Sequence, residues 1–156
     1  ALIMFGFMTL QKRESSSSPD QYPTAIAGII NSIGQSQIQP KMQSQDARQL
    51  QQFVQSNGGS LPKRFPQKLG WDKSIACDVI SINGKQASMI CFRINGDVFH
   101  LFTLNQRDFS DFQSIQNPVI NRDQSNRCSA AWTVEDQIYI LISNSDEKKF
   151  SEVLGI

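Results

Sequence analysis

Three residues of this chain are of types that could combine to do chemistry: Cys91, its single histidine His100, and Asp78. An imidazole beside a thiol can lower the thiol pKa and generate a thiolate nucleophile, and a carboxylate can add its charge to the pair. The same Cys and His could instead offer two ligands to a metal, short of the four that a structural zinc site needs. No Gly-rich turn or helix N-terminus near them could supply an oxyanion hole, and positions in the middle of a strand are hard for a substrate to reach. The ordinary role for such residues is side-by-side packing on a half-buried sheet face. None of the three cysteines stands in a Cys-x-x-Cys or Cys-x-x-His spacing, so a finger-type zinc site is excluded. No metal, cofactor or catalytic residue is therefore expected, and the thiol grouping stands as the alternative.

The elements that would bring Cys91 to His100 are legible. Asn-Gly occurs at Asn83-Gly84 and again at Asn95-Gly96, each time between apolar, β-rich runs. Two-residue hairpin turns need positive φ at both central positions, which Asn-Gly tolerates best. Three antiparallel strands follow, 75–82, 85–94 and 97–104. The turns pair Ile82 with Lys85 and Ile94 with Asp97. Counting outward, Cys77 lies opposite Ile90, and Cys91 lies opposite both Ala76 and His100, with Asp78 diagonal to Cys91. Because side chains alternate along a strand, one face carries Ile75, Cys77, Val79, Ile90, Phe92, Ile94, Phe99 and Leu101. The other carries Asp78, Ile80, Ile82, Met89, Cys91, Arg93, Val98, His100, Phe102 and Leu104. The first face is almost purely apolar and should meet helices. The second is mixed, and the candidate binding surface is the part of it around Met89, Val98, Phe102 and Leu104, or else the long loop of residues 105–127. Cys77 and Cys91 point to opposite sides, so any disulfide must use Cys128.

Around the meander, Ser44 or Asp46 can cap a helix with Ala47, Leu50, Phe53 and Val54 on one stripe, ended by Asn57-Gly58-Gly59. Leu61-Pro62 and Phe65-Pro66 make an extended, proline-stiffened crossing. Residues 105–127 form a long polar loop anchored by Phe109, Phe112, Val119 and Ile120. A second hairpin, 128–133 with 137–142 joined by Val134-Glu135-Asp136, precedes a closing helix 146–154 capped by Asn144 or Ser145. Trp71, Trp132 and Tyr139 are expected to pack in the core, with their polar tips hydrogen-bonded. The fold class is α+β: an antiparallel sheet of about five strands, a three-stranded meander plus a hairpin, with helices packed on one face.

Three stretches organise the 156 residues. Residues 1–10 are almost wholly apolar and stop at Lys12-Arg13. They read as the end of a transmembrane helix, although a signal-peptide remnant or an element packed on the domain has the same pattern. Residues 11–45 form a Ser/Gln-rich tether, interrupted by the island 25–30 with Ile33 behind it; that island suits a short helix docking on the domain or on a membrane surface, or a segment that binds a partner. Residues 46–156 are the compact domain. A net charge of +1 sets up no strong field for nucleic acid, and the densest basic cluster, Lys63-Arg64 with Lys68, reads as a solvated loop.

One further signal is a resemblance. Leu50, Phe53-Val54, Leu61-Pro62, Pro66, Leu69, Cys77-Asp78-Val79-Ile80, Gly84-Lys85, Ser88 to Phe92, His100-Leu101-Phe102, Trp132 and Tyr139-Ile140-Leu141 form a set. The set resembles the C-terminal domain of bacterial membrane-anchored anti-sigma factors over roughly residues 47–154. The resemblance implies a single-pass protein of the inner membrane with its folded domain in the periplasm or otherwise outside the cytoplasm. The domain's own activity is not specified by the resemblance; the reading of the whole chain is a non-enzymatic sensor or protein-interaction domain with a protein partner, a membrane contact through the apolar N-terminal segment, and, from the net charge, no nucleic acid. The His-x-x-x-Cys-x-x-Cys spacing often found in the sigma-binding part of such proteins is missing from this chain. The alternative is a thiol- or metal-dependent protein using Cys91 and His100 with Asp78.

Overall fold

In a computed structural model, residues 24–35, 38–109 and 113–156 are described. The apolar residues 1–10, most of the tether before the island, and Phe112 lie outside them. The described chain contains three helices, α1 (Thr24–Gln35), α2 (Ala47–Ser56) and α3 (Glu147–Leu154). Its strands are β1 (Met42–Gln43), β2 (Ser74–Ile82), β3 (Lys85–Ile94), β4 (Asp97–Asn105), β5 (Asn121–Arg122), β6 (Cys128–Val134) and β7 (Gln137–Ser143). All pair antiparallel in one sheet of order β1-β2-β3-β4-β7-β6-β5. The expected five strands are its centre. The two added strands are two-residue edge pieces, too short to leave a period-two pattern in the sequence.

Both Asn-Gly turns behave as their chemistry requires. Asn83 and Gly84 have φ of 51° and 78°, and Asn95 and Gly96 have 49° and 87°. The register follows: Cys77 faces Ile90, and Cys91 faces Ala76 and His100. One residue departs from the expected faces. Between Ser74 and Ala76 the pairing shifts by a bulge, which turns Ile75 to the face opposite the expected one. In the second hairpin Val134 pairs with Gln137, so the turn is Glu135-Asp136, with Glu135 at φ 54°.

The caps are carried by carboxylates. Asp46 Oδ1 accepts from the Arg48 amide at the start of α2, and Asp146 Oδ1 accepts from the Lys149 amide at the start of α3. Asp146 thus caps α3, rather than Asn144 or Ser145, because an aspartate there can reach the third helical amide. Gly155, at φ 77°, closes α3.

Helices cover both faces of the sheet, not one. On one face, Leu50 and Val54 of α2 and Phe150 and Val153 of α3 pack with Cys77, Ile90, Phe92, Phe99, Leu101, Tyr139 and Leu141. The proline-stiffened crossing joins them, with Phe65 set edge-on to Trp71 and to Phe92 at centroid distances of 5.4 and 5.5 Å. On the opposite face, Ile26, Ile29 and Ile33 of α1 pack on Ala76, Met89, Phe102, Leu104, Ile138, Ile140 and Ile142. Their spacing of i, i+3, i+7 gives α1 one apolar stripe. Part of the stretch read as a tether is therefore folded onto the domain: α1 covers the sheet, and Met42-Gln43 pairs with β2. Its serine- and glutamine-rich composition conceals this because the apolar residues are few and clustered.

A buried polar knot pins the crossing loop to the sheet. Tyr139, fully buried, donates its hydroxyl to Gln137 Oε1 at 2.7 Å and accepts from the Lys63 amide at 2.9 Å, while Gln137 donates to the Leu61 carbonyl at 3.0 Å. Tyr139→Phe keeps the ring, leaves the Lys63 amide only its other acceptor, Gln137 Oε1 at 3.0 Å, and takes the acceptor from the Arg64 amide, which donates to the hydroxyl at 3.3 Å. It should cost about 1–2 kcal/mol in urea unfolding with an unchanged slope.

Candidate functional site

The structure brings Cys91 and His100 together. They face one another across β3 and β4, and Cys91 Sγ lies 3.1 Å from His100 Nδ1. Asp78 does not join them. It sits opposite Met89, and its Oδ1 accepts from the Val79 amide at 2.8 Å. Cys91 is 2 % exposed and belongs to the apolar cluster under α1.

That surrounding sets the protonation. Burial, with smaller contributions from Cys77 and Asp78, pushes the Cys91 thiol up to about 12, and burial pulls the His100 imidazole below its ordinary value. Near neutrality both groups are uncharged. This is the reverse of what the nucleophile reading needs, because a reactive thiol is one whose pKa has been lowered by positive charge in a partly open setting. Among the described residues no set of three His, Cys, Asp or Glu side chains is placed to hold a metal ion.

The other two thiols are equally enclosed. Cys77 Sγ points to the Leu50 carbonyl at 3.5 Å, and Cys128 Sγ to the Ser145 carbonyl at 3.6 Å. Cys77 and Cys128 share a face but are four strand positions apart in the sheet order, roughly 19 Å at about 4.8 Å per strand. Cys91 is on the other face. All three are free, and no pair within the chain can reach disulfide distance.

The surface assigned to Met89, Val98, Phe102 and Leu104 is mostly closed. Met89, Phe102 and Leu104 are 2 %, 0 % and 1 % exposed beneath the isoleucines of α1. Val98 alone of the four is half-buried, and it borders a cavity at its end of the sheet. The guanidinium of Arg127 meets the last turn of α1: it donates to the Gly34 carbonyl at 3.2 Å and is held by Asp123 at 2.7 Å. The long loop is also tied down, since the Thr133 amide and hydroxyl both donate to the Ile115 carbonyl. The basic cluster is spent locally, with Lys63 paired to Glu135 and Asp136 at 2.9 and 2.6 Å and Arg64 to Glu135 at 3.5 Å.

Family models, curated proteins and solved structures were all compared with the chain, and none matches.

Open space lies on the α1 side, around the segment 38–45 that leads from α1 to β1. A cavity of about 430 Å³ is bordered by Ile38, Asp97, Val98, His100, Arg127 and Asn144, among others. A second, of about 490 Å³, is bordered by Gln43, Ile75, Ala76, Cys91, Arg93, Val98 and His100. A third, also about 490 Å³, lies toward β2 with Ile33, Lys41, Asp78 and Phe102 on its walls. The first two share Val98 and His100. Arg93 was legible on the mixed face as a charge among apolar residues. The contribution of Gln43 and Asn144 was not, because it depends on β1 folding back onto β2.

Proposed function

We propose that the chain is a non-enzymatic sensor or protein-interaction domain of a membrane-anchored, anti-sigma-like bacterial regulatory protein. The domain is held outside the cytoplasm, attached to the inner membrane through the apolar N-terminal residues. The observation that carries the non-enzymatic part is the state of its closest nucleophile–base pair: Cys91 is buried in an apolar cluster, His100 beside it is half-buried, and both are neutral near pH 7. The membrane and regulatory parts rest on residues 1–10, the tether and the resemblance over 47–154. Among the described residues no helix is long and apolar enough to cross a membrane.

A membrane-impermeant maleimide, applied to spheroplasts expressing the native gene, tests both parts. In the wild type no thiol should react until the protein is unfolded, after which all three should. A Lys148→Cys variant, changed on the exposed side of α3, should be labelled in intact spheroplasts. Labelling of Lys148→Cys only after lysis would place the domain inside the cytoplasm. Rapid labelling of Cys91 in the folded wild type would restore the thiol reading.

A further inference from the structure

We infer that the two cavities joined at Val98 and His100 form one binding cleft for an apolar monocarboxylate, with Arg93 as the carboxylate's partner. The inference rests on the non-enzymatic reading above, because it treats His100 as a donor and Cys91 as its packing partner.

The argument begins with the charges. Three charged side chains border the cleft, and two are already matched: Asp97 by Lys149 at 3.1 Å, and Arg127 by Asp123 at 2.7 Å. Arg93 has no ion-pair partner among the described residues, so it leaves one net positive charge at the cleft. A guanidinium offers a planar fork that matches one carboxylate. One unmatched cation suits a monoanion better than a phosphate dianion.

Register then places a second donor. Arg93 pairs with Val98 and Cys91 with His100, all on one face of the sheet. Arg93 and His100 are thus diagonal cross-strand neighbours, about 7–8 Å apart, a distance that a long side chain can close. His100 Nδ1 is engaged by Cys91. With the thiol donating to Nδ1, the imidazole proton sits on Nε2, which has no protein partner among the described residues. A carboxylate bound by Arg93 can accept from that N–H.

The remaining walls are suited to an apolar body. Ile75, Ala76, Val98 and Ile142 form the floor, and Ile38 and Pro40 lie on the rim. The bulge contributes directly, because it turns Ile75 onto this face. Each cavity falls in the range of about 300–1,000 Å³ usual for small-molecule sites. The neutral side chains Gln43 and Asn144 at the mouth add hydrogen-bonding groups without further charge.

Octanoate is the probe, titrated into the full chain by calorimetry and by amide resonance shifts, with 1-octanol and octylamine alongside. Octanoate should bind saturably at one site, shifting the resonances of Arg93, Val98 and His100, and both neutral and cationic analogues should bind at least about tenfold more weakly. Arg93 is exposed, so Arg93→Gln should leave the melting temperature unchanged while weakening octanoate at least about tenfold. Equal affinity for octanol, an unchanged affinity in Arg93→Gln, or no saturable binding at millimolar octanoate would each overturn the cleft, leaving the non-enzymatic reading intact. Alkylation of the folded protein with iodoacetamide separates the two ideas: rapid modification of Cys91, whether or not octanoate binds, would overturn the non-enzymatic reading itself.

Discussion

Replacing Ile29 by Asp should release α1 from the sheet without unfolding the strands. Ile29 is 1 % exposed, between Ile26 at 0 % and Ile33 at 4 %. Burying one such side chain is worth about 1.5–3 kcal/mol, and burying an unpaired carboxylate in its place costs more than the helix can hold. The helix therefore leaves, and the loss is capped at the free energy of docking. That is a small remainder, on the order of 1–3 kcal/mol, because ordering a short helix consumes much of what its isoleucines gain. Hydrogen exchange is the measurement. Amides of α1 should lose protection in Ile29→Asp while those of β3 and β4 keep theirs, and Asn31→Asp on the exposed side of α1 should change neither. The uncovered Met89, Phe102 and Leu104 should then promote self-association. Loss of protection across the whole sheet would mean instead that α1 is part of the cooperative core.

Alkaline pH should destabilise the domain, and Cys91 should be a main cause. The folded thiol is pushed up to about 12 from an ordinary 9.0. Between those values the folded chain keeps a proton that the unfolded chain has lost, so stability falls as pH rises. The contribution is fully present below about pH 9 and is spent toward about pH 12. At 1.36 kcal/mol per pH unit its ceiling is near 4 kcal/mol, and on the order of 2–4 kcal/mol is expected. Cys77, pushed up to about 11 by burial and the Asp78 charge, and Tyr139, raised by burial, act in the same direction. Cys91→Ala isolates the one group. At neutral pH it should cost about 1–2 kcal/mol, from a small cavity and the loss of the partner of His100 Nδ1. Toward about pH 11 the variant should become the more stable protein. Urea midpoints measured across the range for both proteins would reveal the crossing, and parallel curves would refute it. His100 works at the other end: its lowered value means that the unfolded state takes up the proton first, so stability falls as pH drops below about 6.5.

These two expectations come from different levels of the molecule. Local chemistry determined the meander: two Asn-Gly turns admit one register, and that register alone sets Cys91 against His100. The helices α2 and α3 were legible for the same reason, since capping residues and apolar spacing act within one or two turns of chain. The sequence also placed Cys77 and Cys91 on opposite faces, which follows from the period of two alone.

Tertiary structure decided the rest. The bulge after Ser74 moved Ile75 across the sheet, and its cost is set by neighbouring strands rather than by the residues of β2. The edge strands β1 and β5 exist because longer strands offer them partners. The face carrying Met89, Phe102 and Leu104 was correctly read as apolar, but its occupant could not be, because α1 and the sheet are distant in sequence and a stripe of isoleucines suits several surfaces. The character of Cys91 and His100 was settled the same way. Their adjacency is a matter of register. Their neutrality is a matter of dielectric, and that came from tertiary packing, which buries Cys91 in the cluster that includes the isoleucines of α1 and leaves His100 half-buried beside it.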